Sequence, residues 1–330
     1  MSKLRLTLAC WDYDRTRALA DGSIAPDGID LTYLSLPVEE TFFRMLRYRE
    51  FDAAEMSLSS YAVSLMQEEP PFIAIPVFPS RCFRHASIFV SVQSGITEPK
   101  QLAGKRIGTP EYQMTAPVWI RGILQDEYGV DPASCAYLTG GEEEPGRDEK
   151  LKLDLPAKFK LRRIGAQQTL AAMLAAGEID AMHTARAPST FRTMPQAVRR
   201  LFADYVEVER AYFRKTRIFP IMHTLVLRRD LYRDHPWIAQ SLQKAFQLAQ
   251  HKTYDDLAIT AALKTMLPWQ AAYVEETRRE LGEDWWAYGL EPNRHALDTF
   301  LRYHHEQGLS HRRLAPEELF APETLEGFKI

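Results

Sequence analysis

Four short segments combine acids, hydroxyls and cations in a way that could bind and protonate an anionic ligand. They are Trp11–Thr16 (WDYDRT), Glu55–Ser57 (EMS), Thr109–Thr115 (TPEYQMT) and His183–Arg186 (HTAR). Each follows a short strand-like run. In open α/β sheets, ligands bind beyond the carboxyl ends of the strands. Helix N-termini there offer free N–H groups and positive partial charge, which suit a carboxylate. Glu55 ends the apolar run FDAAEM. It is either a hydrogen-bonded structural acid or a functional one, and burial would raise its pKa and make it a proton donor near neutral pH. His183 reads equally as a satisfied core histidine or a catalytic group. Arg186, three residues on, is a cation able to grip a carboxylate with both arms of its guanidinium. Thr109 and Thr115 either cap a helix or donate to a carboxylate, with Tyr112 in the same loop. Trp11 and Tyr13 are packing residues or an aromatic ligand wall. Asp12 and Asp14 could simply cap the next helix. Ser57 suits a helix N-cap. Arg81, Arg84, His85 and His223 are secondary candidates near two segments expected to cross between lobes.

Other chemistries find no support. There is no GxGxxG, GxxxxGK[ST], GxSxG or HExxH. The histidines lack close metal-ligand spacing except His304–His305. That neighbouring pair would point to different sides of a helix and is expected at the surface. No spacing supports a metal assembled from Glu55, His183 and His223. The formal charge of −3 is spread over both signs, so a nucleic-acid surface or polybasic membrane anchor is not expected. The three cysteines (Cys10, Cys82, Cys135) show no CxxC spacing and read as reduced, buried thiols. The N-terminal MSKLRLTLACWDYD reads as a first strand, not an export signal, and no apolar run is long enough to span a bilayer. A cytoplasmic location is therefore expected.

The 330 residues suffice for two α/β lobes. Leu4–Ala9 alternates as a first strand, and Pro26–Leu34 is a turn and a second. Val38–Tyr48 carries Phe42, Phe43 and Leu46 at helical spacing. Phe51–Met56 is a strand, with Ser57 capping a helix over Leu58–Met66. Strand and helix at this tempo predict mostly parallel sheets. Pro70–Pro79 suggests an extended edge, and His85–Val92 a strand crossing into the second lobe. There the spacing predicts the strand KRIG, a helix over Ala116–Tyr128, a strand Ala136–Leu138, a helix Thr169–Ala176 and a strand Ile179–His183. Gly140–Lys160 is charged and rich in Pro and Gly, and reads as a solvated loop or as a lid or subunit contact. Phe219–Leu227 suggests the return crossing. Helices follow over Ile238–Lys252, Asp255–Leu263, Ala271–Glu280 and Arg294–Gln307. Residues 1–92 with 200–330 are expected to form lobe one, and 93–199 lobe two, with the ligand cleft between them.

Several blocks are more specific. FDAAEMSLSSY (Phe51–Tyr61), GITEPKQLAGKRIGTPEYQMTAPVWIRGIL (Gly95–Leu124), GGEEEPGR (Gly140–Arg147), YGLEPNRHALDTFLRYHHEQGL (Tyr288–Leu309) and ELFAPET (Glu318–Thr324) resemble the 4,5-dihydroxyphthalate decarboxylases. That likeness runs nearly end to end. It implies a type II periplasmic-binding-protein-like fold and a small aromatic dicarboxylate as partner. The implied reaction is loss of one carboxylate to give protocatechuate (3,4-dihydroxybenzoate). An aryl carbanion is too basic to form at neutral pH, so the ring carbon must be protonated while a para hydroxyl pushes electrons into the ring. No cofactor is required. On this chemistry Glu55 or His183 would be the proton donor and Asp12 or His223 the catechol partner. Arg186, Thr109 and Thr115 would clamp the retained carboxylate. The alternative is a non-catalytic cytoplasmic binding protein for a small aromatic acid or other anion. The Pro-rich edge and long helical tail suggest a homo-oligomer.

Overall fold

The structure, a computed structural model, describes residues 3–326. The chain divides into two compact units. The first runs up to Arg81, resumes over Ile221–Leu297 and takes in the chain from Ala315 on; the second is Cys82–Pro220 with Asp298–Leu314. Strands among the described residues are β1 (Leu4–Cys10), β2 (Ile29–Ser35), β3 (Ala53–Ser57), β4 (Phe72–Arg81), β5 (Ile88–Ser91), β6 (Arg106–Thr109), β7 (Ala136–Thr139), β8 (Lys160–Arg163), β9 (Ala181–His183), β10 (Val198–Arg200) and β11 (Ile221–Arg228).

The sheet of the first unit has the order β2-β1-β3-β11-β4. β1 pairs in parallel with β2 and β3, whereas β11 runs antiparallel to β3 and β4. All five residues of β3 (AAEMS) are buried, as expected for a central strand covered on both faces. Pro76 and Pro79, which donate no backbone bond, lie on β4 at the end of the sheet order. Ser57 ends β3 and caps the helix Leu58–Ser64, its Oγ accepting from Ser60 N at 3.4 Å. The helix Val38–Tyr48 buries Phe42 and Met45, which lie three residues apart on one face.

The second unit has the order β10-β5-β9-β6-β7-β8. β9, β6, β7 and β8 are parallel neighbours, and at one side β5 runs antiparallel to both β9 and β10. Phe89, Leu138, Leu170, Leu174, Ile179 and Met182 form a core between sheet and helices. The helix Thr115–Tyr128 buries Trp119 against Phe300 and Tyr303, with centroids 5.4 and 5.8 Å apart. Arg121 of that helix is buried too. Its Nε donates to Gln307 Oε1 at 2.7 Å and its Nη2 to Tyr112 O at 2.7 Å.

The unit boundaries therefore differ from 92/93 and 199/200. β5 belongs to the second sheet because its edges are taken by β9 and β10. The helix Tyr205–Thr216 lies in the second unit as well. So does 298–314, held by Phe300, Tyr303 and Gln307. Two local expectations also change. The helices expected over Ile238–Lys252 and Asp255–Leu263 are one helix, Trp237–Ala258, in which Asp255 is exposed and does not interrupt the turn. His304 is buried rather than superficial, its Nδ1 3.1 Å from Ser310 Oγ.

Gly140–Lys160 is tied down across the strand exits of the second unit. Thr184 Oγ1 donates to Glu142 Oε2 at 2.6 Å, and Ser189 gives its N–H and hydroxyl to Glu143 at 2.7 and 2.6 Å. Arg147 Nε and Nη2 reach Glu111 Oε1 at 2.9 and 2.6 Å, and the Lys150 ammonium joins the same carboxylate. The turn requires Gly141, since a Cβ there would lie 1.5 Å from Glu144 O.

Candidate active site

In the first unit the candidate site is built on the β3–β11 ladder. His223 stands opposite Ser57 and Leu225 opposite Glu55, so His223 is diagonal to Glu55 on adjacent strands. Glu55 is completely buried and is an acceptor for four donors. His223 Nδ1 lies 2.6 Å from Oε1, and Tyr13 Oη donates to the same oxygen at 2.7 Å. Trp11 N donates to Oε2 at 3.1 Å, and Cys10 Sγ at 3.5 Å. Burial alone would raise the Glu55 pKa. The bonds and charge of His223, then Tyr13 and the Trp11 amide, outweigh burial and hold it below the ordinary carboxylate value.

This geometry changes the role expected of Glu55. A carboxylate kept ionised and filled with donors is a poor proton donor. It is well placed to fix the histidine ring, with Nδ1–H directed at Glu55. The side chain of His223 is 16% exposed, and Nε2 has no protein partner among the described residues. Phe42 meets the ring edge-on at 4.8 Å. Tyr33 Oη donates to Trp11 O at 2.9 Å and so braces the same loop. Burial, then the charge of Glu55, pushes the Tyr13 phenol far up, which keeps it a donor.

Of the other candidates in this unit, Trp11 is 41% exposed beside the dyad. Asp12 pairs instead with exposed Arg17 at 3.3 Å. Arg81 is buried and donates to Ala287 O at 2.7 Å and to Asn293 Oδ1, which makes it a structural brace rather than a ligand contact. Ser57 is occupied as a helix cap.

The second unit holds the remaining candidates. Thr109 Oγ1, at the end of β6, donates to Glu111 O at 3.3 Å and is buried, as is Thr115 in the first turn of its helix. Arg186 is exposed in the loop after β9. Tyr112 is corrected to a core residue. It is fully buried, 5.2 Å from the Tyr137 ring and under the Arg121 guanidinium at 3.9 Å. His85 is likewise interior, among Phe202, Tyr212 and Tyr128. Among the described residues, neither ring nitrogen of His85 or of His183 finds a hydrogen-bond partner. Burial lowers the pKa of His85 to about 4; burial and the Arg121 charge lower that of His183 to about 3.

Both buried histidines therefore stay neutral in the fold where the unfolded chain would take up protons, below about 6.5. Their depressed values add stability above that pH, and His85's share is lost as pH falls from about 6.5 toward 4. Replacing His85 by Phe is expected to narrow the drop in Tm between pH 7 and pH 5. An unchanged drop would show that His85 does not carry this acid sensitivity.

The sequence reading missed Arg15, Tyr33 and Phe42 in the first unit and Glu111, Glu142 and Glu149 in the second. Glu149 is raised to about 7 by burial, and the Glu111 charge adds to this; it accepts from Tyr112 N at 2.5 Å. Glu111 carried a signal as an acid in the strand-exit loop TPEYQMT, whereas Glu149 lies among the charges of Gly140–Lys160 and carried none. Their partners were not legible, because they sit on different loops.

No family model matches the chain. A 4,5-dihydroxyphthalate decarboxylase of Comamonas testosteroni is 44% identical over 330 residues, 100% of both chains. One of Pseudomonas putida is 44% identical over 204 residues, covering 62% of this chain and 79% of that one. Among solved structures, a periplasmic sulfonate-binding protein of Methylobacillus flagellatus matches with a TM-score of 0.57 and 13% identity, over 98% of this chain and 93% of that one. That structural likeness identifies a periplasmic-binding-protein-like fold. No helix among the described residues is long and apolar enough to cross a membrane. Full-length identity at this level decides the family: the chain belongs to the 4,5-dihydroxyphthalate decarboxylases.

Proposed function

We propose that the protein is an aromatic carboxy-lyase that converts 4,5-dihydroxyphthalate to protocatechuate and CO2. The observation that carries this reading is the contact between buried Glu55 and part-exposed His223, 2.6 Å apart, with Nε2 of the imidazole left for a ligand. Family membership supplies the substrate, and the pair supplies the chemistry.

The reaction needs one proton delivered to the ring carbon that bears the departing carboxylate. Protonated His223, its charge matched by Glu55, gives that proton through Nε2. The para hydroxyl feeds electrons into the ring as the new C–H bond forms. The C–C bond to the carboxylate then breaks, its electron pair restores aromaticity, and CO2 leaves. His223 takes a replacement proton from solvent. Glu55 acts through His223 and is a positioning residue; Tyr13 and the Trp11 amide keep it ionised. General acid catalysis of this kind contributes on the order of 10²–10⁴-fold. The phenol is the electron source, so no step calls for an electron sink.

A cytoplasmic location accords with the free thiols Cys10, Cys82 and Cys135, of which Cys82 is exposed rather than buried as expected. The homo-oligomer remains part of the proposal. The helix Gln270–Leu281 buries only Gln270, and Tyr273 on it and Trp269 just before it are exposed, so this face has apolar surface to offer a second copy.

Purified protein is expected to release CO2 and protocatechuate in equal amounts from 4,5-dihydroxyphthalate. Substrate that binds and is recovered intact would favour a binding protein instead.

A further inference from the structure

We infer that Arg15 holds the carboxylate that the substrate retains, an assignment that rests on the proposed decarboxylase reading. The guanidinium lies over two aromatic rings, 4.1 Å from the Tyr13 centroid and 4.2 Å from that of Trp286. Both rings are pinned. Tyr13 Oη is bonded to Glu55, and Trp286 Nε1 donates to Phe78 O at 2.9 Å. One wall of this slot, Tyr13, is thus fixed by the same carboxylate that meets His223.

Within the slot, Arg15 Nε donates to Pro79 O at 2.6 Å and Nη1 to Asp14 Oδ1 at 2.9 Å. Asp14 is half-exposed, so water screens its hold on the cation. Nη2 has no protein acceptor among the described residues, and the side chain keeps 15% of its surface open. Cation–π contact with both rings holds the group in place, and the Nη2 edge stays available to a carboxylate. Tyr13 touches both the cation and the dyad, which places the two functions next to each other. The two carboxylates of an ortho-dicarboxylate are neighbours in the same way.

The chemistry selects which carboxylate Arg15 takes. A cation on the departing group would favour the anionic ground state over neutral CO2 and raise the barrier. On the retained group, the charge is the same before and after the reaction. Binding there is uniform, so it lowers KM without opposing the chemical step.

The test compares protocatechuate with catechol, which lacks the carboxylate, by calorimetry on the wild type and on two variants. Arg15→Met keeps a stackable chain without charge, and Arg15→Lys keeps charge without the fork. The wild type is expected to prefer protocatechuate by about a hundredfold, the scale of a lost charge-assisted pair. Arg15→Met is expected to bind both ligands alike, with Arg15→Lys between. Its kcat/KM should fall by a similar factor, mainly through KM. A preference that survives in folded Arg15→Met overturns the assignment. If wild-type protein fails to decarboxylate 4,5-dihydroxyphthalate while the preference still follows Arg15, the decarboxylase reading falls and the carboxylate site stands.

Discussion

His223→Gln is expected to lower kcat on the order of 10²–10⁴-fold while leaving the fold intact. The substitution keeps a polar side chain beside Glu55 but removes the group that can carry a proton from Nε2. The ring is partly exposed and does not fill the core, so circular dichroism and Tm should change little. Glu55→Gln is a different perturbation. It retains an oxygen facing His223 Nδ1 but removes the negative charge that matches the imidazolium, and it leaves the donors at a buried position with a neutral partner. Because the two residues act as one unit, the double variant should be no slower than His223→Gln alone. Additive losses would mean that Glu55 acts on substrate independently, as a donor in its own right. Near-normal turnover in folded His223→Gln would move the acid elsewhere.

The second large effect concerns stability. Glu111 is fully buried with Arg147 and Lys150, whose side chains are 25% and 12% exposed. Burial would raise its pKa, but the charges of Lys150 and Arg147 outweigh this and keep it ionised. Removing one member of a buried ion pair costs about 3–5 kcal/mol. Glu111→Ala should lie near the lower end, about 3 kcal/mol, because the two cations it leaves behind can reach water. The loss should appear as a lower Tm and as new protease cleavage within 143–158, the stretch that Glu111 anchors. An unchanged Tm with an uncut loop would show that the Glu143 and Thr184 contacts suffice to hold it.

Much of the first unit was legible because local patterns and tertiary demands agree there. The alternation in LRLTLAC, the apolar stripe of Val38–Tyr48 and the Ser57 cap each report their own element. The unit boundaries were less legible. β5 could have joined either sheet by its composition, and only pairing with β9 and β10 decides the matter. The same limit governs the site. Glu55 and His223 were both visible as titratable residues in strand contexts, but they are 168 residues apart and meet only through the β3–β11 register. Without that register Glu55 looked like an acid whose pKa burial would raise. With it, the donors reverse the direction, and the proposal therefore gives the proton-donor role to the histidine. Tyr112 and His85 were misread for the opposite reason. Polar side chains near expected strand ends resemble site residues until the aromatic packing around them is known. Arg15 sat inside the WDYDRT segment from the start. What marks it is the pair of rings around it, and Trp286 is supplied by a distant part of the chain.

The proton transfer from His223 is tested most directly by single-turnover decarboxylation of 4,5-dihydroxyphthalate in H2O and in D2O. The product formed in D2O should carry one deuterium, at the carbon that lost CO2, and it should form markedly more slowly than in H2O. That result follows if an exchangeable proton moves in the step that commits the substrate. Equal single-turnover rates in the two solvents would contradict a general-acid role for the Glu55–His223 pair.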